Sequence, residues 1–253
     1  MPRQHTLRLI LGDQIDENHS WFKHPNKQVT YVLMEIRQET DYVAHHIQKV
    51  AAFFAAMRTF AGRLRDLGHR VVYLKLDDPQ NRQTIADNIK DLLNKKKITR
   101  FEYLLPDEHR LDLQLRKLTE SLPLPCEFMD TQHFLTERQE LTDFFAGKKR
   151  YLMESFYRWM RKRSNILMEK GKPLGGQWNY DQKNRQAYDQ QVPIPQPLLF
   201  DNDVSDIVRL IRKQKVATIG EIQPDKLIWP TSRTQSLALL KSFVDDFLPA
   251  FGT

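Results

Sequence analysis

The chain has 253 residues, 40% hydrophobic and 28% charged, with a formal net charge of +7 and a single cysteine, Cys126. That length allows one large domain or a domain with a substantial second piece; no apolar run reaches the roughly 20 residues of a membrane span, and Met1-Pro2-Arg3-Gln4-His5 lacks the apolar core of a signal peptide, so a cytoplasmic location is the default. One cysteine excludes an internal disulfide, and also a thiolate zinc or iron–sulfur site built by this chain alone, which takes about three or four sulfur ligands.

Residues 6–11 read as a buried strand that runs into Gly12-Asp13-Gln14. A second strand, 29–36, contains Tyr31-Val32-Leu33-Met34 and stops at Glu35, with Glu39 close behind. The segment from Tyr42 to Gly68 is apolar all round, rich in Ala and free of proline. It predicts one long helix with Thr40 or Asp41 as N-cap and Gly68 as its stop. Strands follow at 69–76, 98–105 and 126–129, with helices at 84–95 and 111–121 between them. Strands alternating with helices define an α/β fold with a doubly wound, parallel five-stranded sheet, Rossmann-like, ending near residue 135. Open sheets of this kind bind ligands at the carboxyl edge. The polar residues after the first two strands therefore mark a small-molecule or cofactor crevice.

Beyond residue 135 the alternation stops. Residues 136–197 carry a predicted helix from Phe144 to Glu169, a Gly175-Gly176-Gln177-Trp178 loop and a polar, Pro-rich connector from Asn184 to Pro197. Residues 198–253 hold helical segments at 205–215 and 234–247 and read as the start of a second, helical domain. Between Lys148 and Lys172 nine Lys/Arg face only Glu154 and Glu169, which concentrates the whole net charge in one stretch. On the predicted helix Leu152, Phe156, Trp159 and Leu167 share a face, with Arg158, Arg161 and Lys162 opposite. That cationic stripe is either solvated surface or a docking surface for phosphates. The Gly175-Gly176 loop reads as a turn that anchors a buried Trp178.

The candidate ligand face is on the first helix. Tyr42, His46, Lys49 and Phe53 recur at i, i+4, i+7 and i+11, and so share a stripe. A phenol, an imidazole, an ammonium and a phenyl ring together suit a flat heteroaromatic ligand. The plainer reading is a helix edge whose long side chains reach water. His45-His46 is no metal signature, because adjacent helical residues point about 100° apart. Gly12 lacks the further glycines of a dinucleotide fingerprint, and there is no P-loop lysine and no Gly-x-Ser-x-Gly elbow.

Several longer motifs carry a family resemblance. They are Leu11-Gly12-Asp13-Gln14; Met34-Glu35 through Glu39-x-x-Tyr42-x-x-His45-His46-x-x-Lys49; Ala56-Met57-Arg58-x-Phe60-Ala61; Met153-Glu154-x-Phe156-Tyr157-Arg158-x-Met160-Arg161; Gly175-Gly176-x-Trp178-Asn179-x-Asp181-x-x-Asn184-Arg185; and Asp245-Asp246-Phe247-Leu248. With these the chain resembles the deoxyribodipyrimidine photolyase-related proteins, the iron–sulfur prokaryotic cryptochromes and photolyases. The resemblance implies an N-terminal α/β antenna domain (1–135), a connecting region (136–197) and the first helices of a helical catalytic domain (198–253). It implies 6,7-dimethyl-8-ribityllumazine as antenna chromophore, held by Gly12, Asp13, Met34, Glu35, Glu39 and Tyr42, with Phe53 either stacking on it or narrowing the pocket. His46 and Lys49 join this set from the helix stripe, and Glu39 is the expected hydrogen-bond partner of the ring edge.

The same resemblance implies FAD, a four-cysteine iron–sulfur cluster and damaged DNA as partners of the catalytic half, which repairs (6-4) photoproducts as a lyase. That half is missing here, so the expectation is a truncated chain, inactive in repair on its own. It would be the antenna part of a protein for light-dependent DNA repair or light sensing. The alternatives are a nucleic-acid-binding module acting through Arg158, Arg161 and Lys162, and a light-independent α/β interaction module without chromophore. No membrane association is expected.

Overall fold

The computed structural model describes residues 5–180 and 193–250. In chain order the elements are β1 (Thr6–Leu9), β2 (Val29–Met34), α1 (Arg37–Thr40), β3 (His45–His46), α2 (Ile47–Asp66), β4 (Arg70–Leu74), α3 (Ile85–Lys96), β5 (Arg100–Leu104), α4 (His109–Ser121) and β6 (Cys126–Met129). They continue with α5 (Arg138–Phe145), α6 (Met153–Ser164), β7 (Met168–Glu169), β8 (Lys172–Pro173), α7 (Ser205–Lys213), β9 (Thr218–Ile219) and α8 (Arg233–Ser242). The chain divides into two compact units. One runs to Phe134 and takes in Leu198–Leu239; the other comprises Leu135–Pro197 and the residues from Leu240 onward.

The first unit is built on a parallel sheet of five strands in the order β4-β2-β1-β5-β6. Strand β2 is buried along its whole length, as expected of a strand covered on both faces. On one face Ile85, Ile89 and Leu92 of α3, with Leu111, Leu115 and Leu118 of α4, pack against Leu7, Leu9, Val32 and Phe101. On the other, Met57, Phe60, Ala61 and Leu64 of α2 pack against Tyr31 and Leu33, with Trp21 and Phe22 alongside. The sheet is doubly wound, as its sequence pattern predicts. The chain moves outward from β1 through β2 to β4, then returns to the other side of β1 for β5 and β6. The switch point therefore lies between β1 and β5, where such sheets leave a crevice beyond their carboxyl ends.

The first long helix starts later than its composition suggests. Residues 37–40 form one turn, the chain bends, and α2 begins only at Ile47 with the His46 side chain accepting from the Gln48 amide as N-cap. Neither Thr40 nor Asp41 caps it. His45 and His46 instead pair in parallel with Thr218 and Ile219. A partner strand over 170 positions away overrides local helical periodicity, so Tyr42 and His46 do not continue a helical stripe. Val43, in the bend, is half exposed. Gly68, at φ +87°, does follow the helix end.

Residues 198–239 belong to the first unit, and do not open a separate body. Ile207, Val208, Leu210 and Ile211 of α7 share a buried core with Ile47, Val50, Ala51, Phe54 and Ala55 of α2.

In the second unit the expected continuous helix from Phe144 to Glu169 is broken. Helix α5 carries a capping box between Glu137 and Glu140 and ends at Phe145; Gly147 then takes a left-handed φ of +71°. Helix α6 ends at Ser164 because Asn165 adopts φ +52°, and β7 and β8 form a hairpin. Phe144, Phe156 and Trp159 gather at centroid distances of 5.2–5.5 Å. Leu152 and Leu167, assigned to the same face from the sequence, lie outside α6 and are exposed. Of the quoted motifs, Asp181, Asn184 and Arg185 lie outside the described residues, as does most of the connector.

Candidate functional site

A cavity of about 240 Å³ opens at the carboxyl edge of the sheet in the first unit. The turn after β1 supplies Ile10, Leu11, Gly12 and Asp13; the end of β2 and α1 supply Met34, Ile36, Glu39 and Thr40. Tyr42 comes from the bend and His45 from β3, Lys49, Val50, Phe53, Phe54 and Met57 from α2, and Ile85, Glu108 and Leu111 from the far wall. Seven of the nine residues expected from the sequence therefore converge: Gly12, Asp13, Met34, Glu39, Tyr42, Lys49 and Phe53.

Gly12 sits where α2 comes closest to the strand end. A Cβ there would meet Met57 Sδ at 3.1 Å and Phe53 Cδ1 at 3.2 Å, so glycine lets the helix approach and leaves the cavity floor open. Asp13 is at the mouth. Desolvation by its neighbours raises its carboxyl pKa above the ordinary aspartate value, and Asp107 and Glu39 push the same way. Phe53 is 41% exposed and lines the cavity without filling it. Lys49 Nζ stands 5.9 Å from the Phe53 ring centroid and 3.5 Å from His45 Nδ1. Tyr42 reaches the site from the bend and not from a helix; its ring meets the His45 ring edge-on at 5.0 Å.

Glu39 is more tightly held than sequence spacing suggests. Arg110 donates to its two oxygens at 3.1 and 2.8 Å, and Gln38 Nε2 donates at 2.8 Å. A carboxylate has about four acceptor positions, so capacity toward a ligand remains.

Two of the expected residues do not line the cavity. Glu35 follows Met34 and precedes Ile36 on extended backbone, so its side chain leaves on the opposite face. It is fully buried and accepts from Arg58 Nε at 2.7 Å, Arg58 Nη2 at 3.1 Å, Tyr73 Oη at 2.7 Å and the Leu76 amide at 3.0 Å. Burial, with the Glu35 charge behind it, raises the Tyr73 hydroxyl pKa far above its ordinary value. Glu35 ties α2 to the sheet edge. His46 caps α2, and its ring lies on Gly220, where an added Cβ would come 1.9 Å from Nε2.

In the second unit the cationic stripe is smaller than expected. Arg161 is buried and donates to the carbonyls of Ile166 at 3.3 Å and Trp178 at 3.2 Å, to Tyr157 Oη at 3.3 Å and to the Leu167 carbonyl. It organises the hairpin and the Gly175-Gly176 loop. Arg158 and Lys162 stay exposed; both lie about 5.5 Å from the half-buried Trp178 ring (5.5 and 5.4 Å).

The sequence reading missed the far wall. Pro106-Asp107-Glu108 follows β5, the strand beside β1 at the switch point, so the rule applied to the first two strands also pointed there.

A doubly wound parallel sheet with a cavity at its switch point defines an α/β protein of the Rossmann-like class. Its kinship is more specific. The deoxyribodipyrimidine photo-lyase-related protein model matches residues 8–227, and the chain belongs to that family. It is similar to a (6-4) photolyase of Agrobacterium fabrum (strain C58 / ATCC 33970), 32% identical over 253 residues, covering 97% of this chain and 49% of that protein. It is also similar to the uncharacterized protein R852 of Acanthamoeba polyphaga mimivirus, 24% identical over 72% of this chain and 94% of that one. The chain thus spans about half the length of the photolyase it matches and nearly all of the viral protein.

Proposed function

We propose that the first unit is an antenna domain that holds a lumazine, 6,7-dimethyl-8-ribityllumazine, in a photolyase-like protein for light-dependent DNA repair or light sensing. The observation that carries this is the cavity at the switch point, whose lining brings together Gly12, Asp13, Met34, Glu39 and Tyr42, which the resemblance implies as lumazine contacts, with Lys49 and Phe53 of the helix stripe. Its size suits a bicyclic ring, far less than an FAD. Tyr42 and Phe53 offer aromatic surfaces, and Met34 and Met57 polarisable ones. A pyrimidinedione edge presents an N–H beside carbonyls: Glu39 would accept from the former and Lys49 donate to the latter. The ring, when bound, supplies near-UV or blue absorption; the chain supplies orientation and exclusion of water.

FAD, an iron–sulfur cluster and repair of damaged DNA belong to this proposal only through the rest of a longer protein, with its helical catalytic domain. Cys126 is the one cysteine, so a four-thiolate cluster needs ligands from elsewhere. Membrane attachment has no place in it, and no helix among the described residues is long and apolar enough to cross a membrane.

The test is the near-UV and visible absorption of the purified chain, before and after added lumazine, with mass spectrometry of anything released on denaturation. A lumazine band or saturable uptake, weakened about tenfold by Glu39→Gln, is the expected result. A colourless chain that takes up none overturns the reading.

A further inference from the structure

Two carboxylates reach the pocket rim from opposite sides. Glu39 comes from α1, beyond β2, and Glu108 is the residue before α4, beyond β5. Arg110, in the first turn of α4, is not among the cavity-lining residues, yet its guanidinium joins both. Nε and Nη2 donate to Glu108 at 2.6 and 3.0 Å, and Nη1 and Nη2 donate to Glu39 at 3.1 and 2.8 Å. The same group stands 4.4 Å from the centroid of the Tyr42 ring.

We infer that Arg110 is a positioning residue of the pocket, holding the Glu39 carboxylate and the Tyr42 ring in the arrangement a ligand meets. This rests on the lumazine reading and deepens it. The planar fork of arginine fixes a carboxylate in two directions at once, which an ammonium point charge does not. Here one fork serves two carboxylates, and its face is left to Tyr42. Without it, Glu39 and Glu108 face each other as like charges, Glu39 turns toward water and Tyr42 loses its stacking partner. Both carboxylates in turn hold the Arg110 guanidinium firmly protonated.

The experiment titrates 6,7-dimethyl-8-ribityllumazine into the full chain and follows its fluorescence anisotropy. Arg110→Gln, Arg110→Lys, Glu39→Gln and the Arg110→Gln/Glu39→Gln double variant are compared with wild type, with thermal melts of each. Arg110→Gln is expected to weaken binding about tenfold, to lower the anisotropy of the bound ring, and to be partly rescued by Arg110→Lys. In the Glu39→Gln background the further loss shrinks to less than about twofold, because the two residues act as one unit. Unchanged affinity in Arg110→Gln, or losses that multiply fully in the double variant, overturns the positioning role. A wild-type chain that takes up no lumazine overturns the antenna reading and this inference together. Wild-type uptake with an indifferent Arg110 overturns the inference alone.

Discussion

At the scale of single residues, Glu35 shows how a charge at a strand end serves the fold. Its carboxylate is out of water and all its visible partners are donors: two guanidinium nitrogens, a phenol and a backbone amide. Arg58 is itself only 17% exposed and also pairs with Asp206 at 2.9 Å. Removing one member of such a pair leaves a buried charge without its counter-ion, which typically costs about 3–5 kcal/mol. Glu35→Gln is therefore expected to lower unfolding stability by about 3 kcal/mol. Glu35→Leu combined with Arg58→Met should recover a large part of that loss, since a well-packed apolar pair replaces both charges. Denaturant titration of the three variants decides it; a Glu35→Gln protein as stable as wild type would contradict the assignment. Lumazine affinity of the folded fraction should move little, because the side chain leaves the sheet on the face away from the cavity.

At the scale of elements, α6 separates two roles that look alike in the sequence. Arg158, Arg161 and Lys162 are three cations within five positions. Arg161 alone is turned inward, toward the carbonyls of Ile166 and Leu167 just past the end of α6 and of Trp178 in the following loop. Arg161→Gln should melt the second unit at lower temperature, by about 2 kcal/mol of lost charged hydrogen bonds. Arg158→Gln with Lys162→Gln should leave the melt unchanged. If this face meets a nucleic-acid backbone, that double variant lowers the salt slope of DNA retention by about two; a slope identical to wild type removes the idea.

The same elements show what was legible beforehand. The five strands and the carboxyl-edge crevice followed from apolar runs punctuated by polar ends, a local signal. The start of α2 did not, because it depends on His45 and His46 pairing with Thr218 and Ile219 and on a side-chain cap. Glu39 and Tyr42 were legible as pocket residues. Arg110 was not, because its pairing joins two carboxylates, Glu39 and Glu108, that lie far apart in the chain.

At the scale of the whole chain, the important boundary is the one near residue 135. Composition changes there, and a cut at that point looks natural from the sequence. The first unit, however, includes Leu198–Leu239. Helix α7 covers α2 with side chains that are nearly inaccessible: Val208 and Ile211 are each 1% exposed, and Ile207 is 4%. Besides the face packed on the sheet, helix α2 has a cavity face and an α7 face, and these two meet. Lys49 and Phe53 look into the cavity, Ala51 and Ala55 lie under α7, and Val50 and Phe54 belong to both. A chain ended at Phe134 would expose the α7 face. Each large apolar side chain returned to water costs about 1.5–3 kcal/mol, and a domain has about 5–15 kcal/mol of net stability. The shortened chain should therefore melt far below the full chain and bind a hydrophobic dye. It should also hold lumazine more weakly, since Val50 and Phe54 lose the packing that places them at the cavity wall. Equal melting temperatures for the two chains would mean that α7 is only draped on the first unit, and the domain would then end where the composition changes.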